Sequence, residues 1–146
     1  MPDEKRSGKD LEEIAAWVRE QTSFRGQIGE TTELQQDLSV VGDDLFDLVA
    51  RFAADFDVDM SGFLWYFHTE EDLLNPGALF SKPPDRQVER IPISVGMLLE
   101  FADEGAWSVD YPAHSIQRSR IDVRITQMIA LAVVLLVVLI LVVKYT

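Results

Sequence analysis

The sequence predicts an all-α fold, a small helical bundle followed by a single transmembrane helix. Three observations predict it. Two stretches, residues 11–21 and 43–56, repeat apolar side chains at spacings of three and four, which is the period of a helix with one buried face. A third, shorter stretch after Ser94 does the same. Near the C-terminal end, residues 125–143 carry no charge, proline or glycine, and residues 128–143 are unbroken hydrocarbon. At about 1.5 Å per residue those nineteen residues span roughly 28 Å, close to the ~30 Å hydrocarbon thickness of a bilayer. A buried core helix would show a polar stripe, and this run has none.

The first helix starts at Asp10. An acceptor there, with Glu13 three residues on, is a capping-box variant. Leu11, Ile14, Ala15 and Val18 then share one face, with Trp17 beside it, and the helix runs to about Gln21. Gly26 and Gly29 mark a loop in which Phe24, Ile28 and Leu34 are spaced as anchors onto a core. The second helix begins near Gly42 or Asp43. Leu45, Leu48, Val49, Phe52, Ala53 and Phe56 form its apolar stripe, while Asp44, Asp47, Arg51 and Asp55 take the other side. Asp57, Asp59, Ser61 and Gly62 end it in a turn.

Residues 63–68 (Phe-Leu-Trp-Tyr-Phe-His) concentrate the aromatic side chains. Two readings stay open for them: core packing, or contact with a partner or an acyl chain. Pro76, Gly77, Pro83 and Pro84 then read as a mobile loop. Ser94 caps a last short helix with Val95, Leu98, Leu99 and Ala102 facing inward, ending about Gly105. Trp107 packs back on the domain, and a polar connector leads to the anchor. The organisation is thus a disordered, polar N-terminus at 1–9, a helical domain at 10–107, a linker at 108–124, the transmembrane helix at 125–143 and a short tail at 144–146.

Arg118, Arg120 and Arg124 precede the apolar run and only Lys144 follows it, so the positive-inside bias keeps the N-terminal domain in the cytoplasm. The first ten residues lack the apolar core of a secretory signal. Cysteine is absent, which rules out disulfides and thiolate chemistry. The anchor carries no ionisable group at its centre and no Gly-x-x-x-Gly, so it reads as a tether.

The net charge of −12 is unevenly spread. Residues 30–72 hold twelve carboxylates against Arg51 alone, a surface that repels nucleic-acid phosphates and steers a basic protein toward it. Asp43, Asp44 and Asp47 are also explained locally, because carboxylates are favoured in a helix's first turns.

The run Asp37-Leu38-Ser39-Val40-Val41-Gly42-Asp43-Asp44-Leu45-Phe46-Asp47-Leu48-Val49 resembles the acyl carrier protein pattern Asp-Leu-Gly-x-Asp-Ser-Leu-Asp-x-x-Glu-Leu-Val without a gap. Gly42 stands where that family has the serine accepting 4′-phosphopantetheine. Val41 replaces the preceding Asp, and Asp43 the following Leu. More of the chain, about residues 11–107, resembles an uncharacterised bacterial family described as acyl-carrier-protein-like. The further matches are the Gly-Asp-Asp start of the acidic helix, the segment Trp65-Tyr66-Phe67-His68, and the ending from Ile91-Pro92-Ile93-Ser94 to Gly105-Ala106-Trp107. The resemblance implies a helix presented to partner enzymes, with Asp43, Asp44, Asp47, Asp55 and Asp59 as the partner-binding residues. It implies no cofactor, because the attachment serine is missing.

Catalytic and metal patterns are not visible. His68 and His114 lie in different regions, with no His-Glu-x-x-His spacing. Asp55, Asp57 and Asp59 imitate the start of a calcium loop, but Met60 stands where its glycine belongs. Glu70, Glu71 and Asp72 lack such a pattern altogether. The expectation is a non-catalytic binding module at the bacterial inner membrane, single-pass, with its domain cytoplasmic. It would dock a basic protein partner, an acyl-chain enzyme among the candidates, and no nucleic acid. The alternative is a phosphopantetheine-type carrier using a non-standard serine, Ser39 or Ser61, in membrane-associated acyl chemistry.

Overall fold

The computed structural model describes residues 10–69, 75–116 and 120–145. The expectations placed on residues 1–9, on Glu70, Glu71 and Asp72, on residues 117–119 with Arg118, and on Thr146 lie outside the described residues. Among the described residues the fold is helical: α1 (Leu11–Thr22), α2 (Asp43–Phe56), α3 (Val95–Glu104) and α4 (Ile121–Tyr145), with three short 3-10 turns between α2 and α3.

Local chemistry sets the helix starts. The Asp10 carboxylate accepts the Glu13 N–H at 2.7 Å, and Ser94 Oγ accepts the Met97 N–H at 3.3 Å. The start of α2 has no side-chain cap, and Gly42 fills that position with φ +56°. Ile14, Val18, Leu45, Leu48, Phe52, Leu98 and Phe101 bury the facing stripes of α1, α2 and α3 in one core. Trp17 joins α1 to α2 by packing edge-on against Phe52 and Phe56, with ring centroids 5.8 and 5.6 Å away.

The segments flanking α2 clamp α3 at both ends. Before α2, Leu34 N–H donates to the Ile93 carbonyl and Val95 N–H to that of Thr32. After α2, Asp59 N–H donates to Gly105 and Trp107 N–H returns to Asp59. These two isolated bridges satisfy loop backbone that would otherwise lie buried without partners. Leu34, the spaced anchor of the first loop, is fully buried.

Two regions differ from the sequence reading. The proline-rich stretch read as a mobile loop is folded from Asn75 onward. Its 3-10 turn Pro76–Leu79 packs on the start of α4, and a second turn, Pro84–Arg86, follows. The connector read as polar spacer carries Tyr111 and His114, whose rings close over Phe67 at 4.8 Å each. Neither contact has a sequence period, because each side chain meets a partner more than forty residues away. α4 itself begins at Ile121, four residues before the apolar run, and is long and apolar enough to cross a membrane.

Candidate functional site

The aromatic segment is half-buried from Phe63 to Tyr66 and buried at its end. Phe67, His68 and Thr69 are buried, and Phe63 stacks on the His68 ring at 5.5 Å. His68 Nδ1 lies 2.9 Å from the Ile91 carbonyl, which only accepts, so that nitrogen carries the proton. Nε2 then accepts from the Tyr111 hydroxyl at 2.7 Å. The same hydroxyl oxygen takes the Leu64 N–H at 3.2 Å and the Trp107 indole N–H at 2.9 Å. Every polar atom of this group is matched, the requirement for keeping it inside. Burial lowers the His68 imidazole below its ordinary value, against the raising effect of its bond to Ile91. Burial likewise raises the Tyr111 phenol. Both groups are neutral near pH 7.

The exposed chemistry lies on α2. Asp43, Asp44 and Asp47 are exposed in its first turns. Asp47 forms an ion pair with Arg51 at 3.9 Å, whereas among the described residues no basic side chain pairs with Asp43 or Asp44. Val41 and Phe46, 56% and 38% exposed, lie among these carboxylates. A cavity of about 280 Å³ beside Asp44 and Asp47 is lined by Gln21, Leu38, Ser39 and Arg51. Another of about 360 Å³ lies on the Gly42 side, lined by Gln35, Gln36, Val41, Thr69 and Arg90.

The five expected partner-binding residues therefore divide. Asp43, Asp44 and Asp47 form one acidic cluster with apolar neighbours. Asp55 lies about 12 Å further along the helix from Asp47, at 1.5 Å per residue, and its carboxylate accepts the Trp17 indole N–H at 2.8 Å. Asp59 lies beyond the helix. It accepts the Ser61 N–H at 2.9 Å and the Ser61 hydroxyl at 3.0 Å, and these bonds lower its carboxyl below the ordinary range. Among the described residues no three His, Asp or Glu side chains converge as a metal would require.

Gly42 keeps its carbonyl on the Leu45 and Phe46 N–H groups while its own φ is positive. An L side chain at this position would be strained even though the space beside it is open. Sequence reasoning missed Val41 and Phe46 as exposed apolar members of the cluster. A signal was available for Phe46, which departs from the three-four spacing of the buried stripe; Val41, four residues before Leu45, continues that spacing, so nothing in the sequence marked it as exposed.

A family model described as "Protein of unknown function (DUF1493)" matches residues 12–110, from the second residue of α1 through α2 and α3 to Asp110 in the connector. No curated protein and no solved structure matches the chain.

Proposed function

We propose that this chain, which belongs to the DUF1493 family, is a membrane-tethered, non-catalytic binding module whose acyl-carrier-like domain docks a basic protein partner through the start of α2. The observation that carries this reading is the grouping of Asp43, Asp44 and Asp47 around exposed Val41 and Phe46. Exposed apolar side chains beside a cluster of carboxylates suit a specific contact, in which charge steers the encounter and apolar burial holds it. Asp55 and Asp59, held by Trp17 and Ser61, contribute charge at the margin of this face.

The membrane tether is α4. Its 25 residues extend about 37 Å at 1.5 Å per residue, enough to cross the hydrocarbon layer. The arginines before it favour a domain on the cytoplasmic side of a bacterial inner membrane. A partner working on acyl chains fits the likeness of the 37–49 run to carrier proteins, an argument from resemblance.

The test is a crosslinking pull-down from native membranes with the full chain, comparing wild type with Asp44→Lys/Asp47→Lys. The expected outcome is a partner captured by the wild type, released as salt is raised, and lost on charge reversal. Unchanged capture by the reversed variant would overturn the docking face.

A further inference from the structure

Outside α4, the large apolar side chains exposed among the described residues fall in two places. Val41 and Phe46 belong to the α2 face; Leu79 and Phe80, 85% and 73% exposed, belong to the turn packed on α4. This second pair has no role in the docking face. The turn is fastened to the foot of α4 by several bonds. Asn75 Nδ2 donates to the Asp122 carboxylate at 2.7 Å, Gly77 N–H donates to Thr126 Oγ1 at 2.9 Å, and the Thr126 hydroxyl donates to Asn75 Oδ1.

Those bonds fix the height of the turn. Thr126 precedes the start of the unbroken apolar run at Met128 by about 3 Å along the helix. Leu79 and Phe80 follow Gly77 by two and three residues, so they lie within about 11 Å of that bond. The interfacial layer of a leaflet is about 5 to 8 Å deep. On the same face of α4, about one turn beyond Thr126 and two beyond Asp122, Ile129 is 37% exposed, less than any exposed apolar side chain from Leu131 to Val143.

We propose that Leu79 and Phe80 insert into the lipid bilayer beside α4, so that the domain rests on the membrane surface instead of swinging on a free linker. This rests on the reading of α4 as a membrane-spanning helix. The surroundings have the chemistry of the interface. A cavity of about 560 Å³ at the foot of α4 is lined by Trp65, Tyr66, Pro84, His114 and Arg120, and exposed Lys82 and Arg86 follow Phe80 in the chain. Tryptophan and tyrosine rings favour the headgroup level, and cationic side chains favour lipid phosphates. The same contact holds the acidic start of α2 at a set attitude toward a membrane-bound partner.

The absence of cysteine makes the test direct. Single variants Leu79→Cys, Phe80→Cys, Leu136→Cys in the anchor and Glu20→Cys on exposed α1 are labelled with nitrobenzoxadiazole. The full chain is then incorporated into liposomes of phosphatidylethanolamine and phosphatidylglycerol. The expected result is blue-shifted emission at 79, 80 and 136, quenched by lipid-borne nitroxide and shielded from aqueous iodide, with the label at 20 open to iodide. Labels at 79 and 80 that stay open to iodide while 136 is shielded would overturn the insertion and leave the anchor standing. Shielding at 79 and 80 from both quenchers would mean a protein contact and overturn it equally. A label at 136 open to iodide would overturn the anchor reading itself, and the insertion with it.

Discussion

Gly77 lies flat against the backbone carbonyl of Asp122: a Cβ built on Gly77 would stand 1.8 Å from that oxygen. Backbone on backbone at that separation leaves no room for any side chain. Asp122 itself is almost wholly buried there, held by Asn75 and by Arg120 at 3.3 Å. One glycine thus permits the contact between the domain and the foot of α4.

Gly77→Ala is therefore expected to open this contact without unfolding α1, α2 and α3. Such overpacking typically costs about 1–3 kcal/mol. Amide hydrogen exchange on the full chain checks it. Residues 75–80 and 121–126 should exchange faster in the variant, with the protection of α2 and α3 unchanged. Equal exchange at 75–80 in both proteins would mean that the contact contributes nothing to the ordering of the turn.

The pair His68 and Tyr111 sets a pH dependence. The folded chain holds His68 below the ordinary value of 6.5, mainly through burial, so the unfolded chain takes up a proton at higher pH than the folded one. Below about pH 6.5 the unfolded state binds more protons, and stability falls as pH drops until the folded value is passed. Denaturant unfolding in detergent between about pH 7.5 and 5.5 (about one unit either side of the ordinary value) should show this loss in wild type and a flatter profile in His68→Gln. Tyr111→Phe removes the acceptor of two N–H groups and the donor to Nε2 together. It should cost about 2–3 kcal/mol at neutral pH.

Much of the helical fold was legible in the sequence, for a local reason. Asp10, Ser94 and the three-four stripes of α1, α2 and α3 act on residues one turn away, so their order in the chain is their order in space. The contact between the Pro76–Leu79 turn and the start of α4 was illegible for the opposite reason. Asn75, Gly77, Asp122 and Thr126 meet across 47 to 51 residues, and Pro76, Gly77, Pro83 and Pro84 suggest a loose loop when read alone. At the candidate site, Asp44 and Asp47 were predicted as exposed from the helical period and are exposed. The engagement of Asp55 by Trp17 depends on how α1 packs on α2, which no spacing within α2 encodes.

That engagement separates two carboxylates the sequence treats alike. Asp55→Ala leaves the Trp17 indole N–H without its partner and should lower stability by about 1 kcal/mol. Asp44→Ala removes only a favourable charge from the first turn of α2, a loss of about 0.5 kcal/mol. In partner capture the ranking should reverse, with Asp44→Ala the more damaging. Thermal unfolding and pull-down of the same two variants check both halves, and a shared ranking would place Asp55 at the centre of the docking face.

The last prediction concerns the modification that a carrier would need. A transferase delivering phosphopantetheine requires a serine at the start of the helix, and Gly42 stands there with φ +56°. Ser61 lies beyond the far end of α2, with its hydroxyl bonded to Asp59. Ser39 is exposed three residues before Gly42, at φ 57°, beside the cavity shared with Asp44 and Asp47. Its backbone is in the left-handed region, unlike the capping conformation from which a helix-start serine projects. After incubation of the full chain with a phosphopantetheinyl transferase and coenzyme A, the expected intact mass is that of the bare polypeptide. An added arm lost on Ser39→Ala would turn the cavity beside Asp44 into a carrier site, and the start of α2 would then present a cargo as well as a charge.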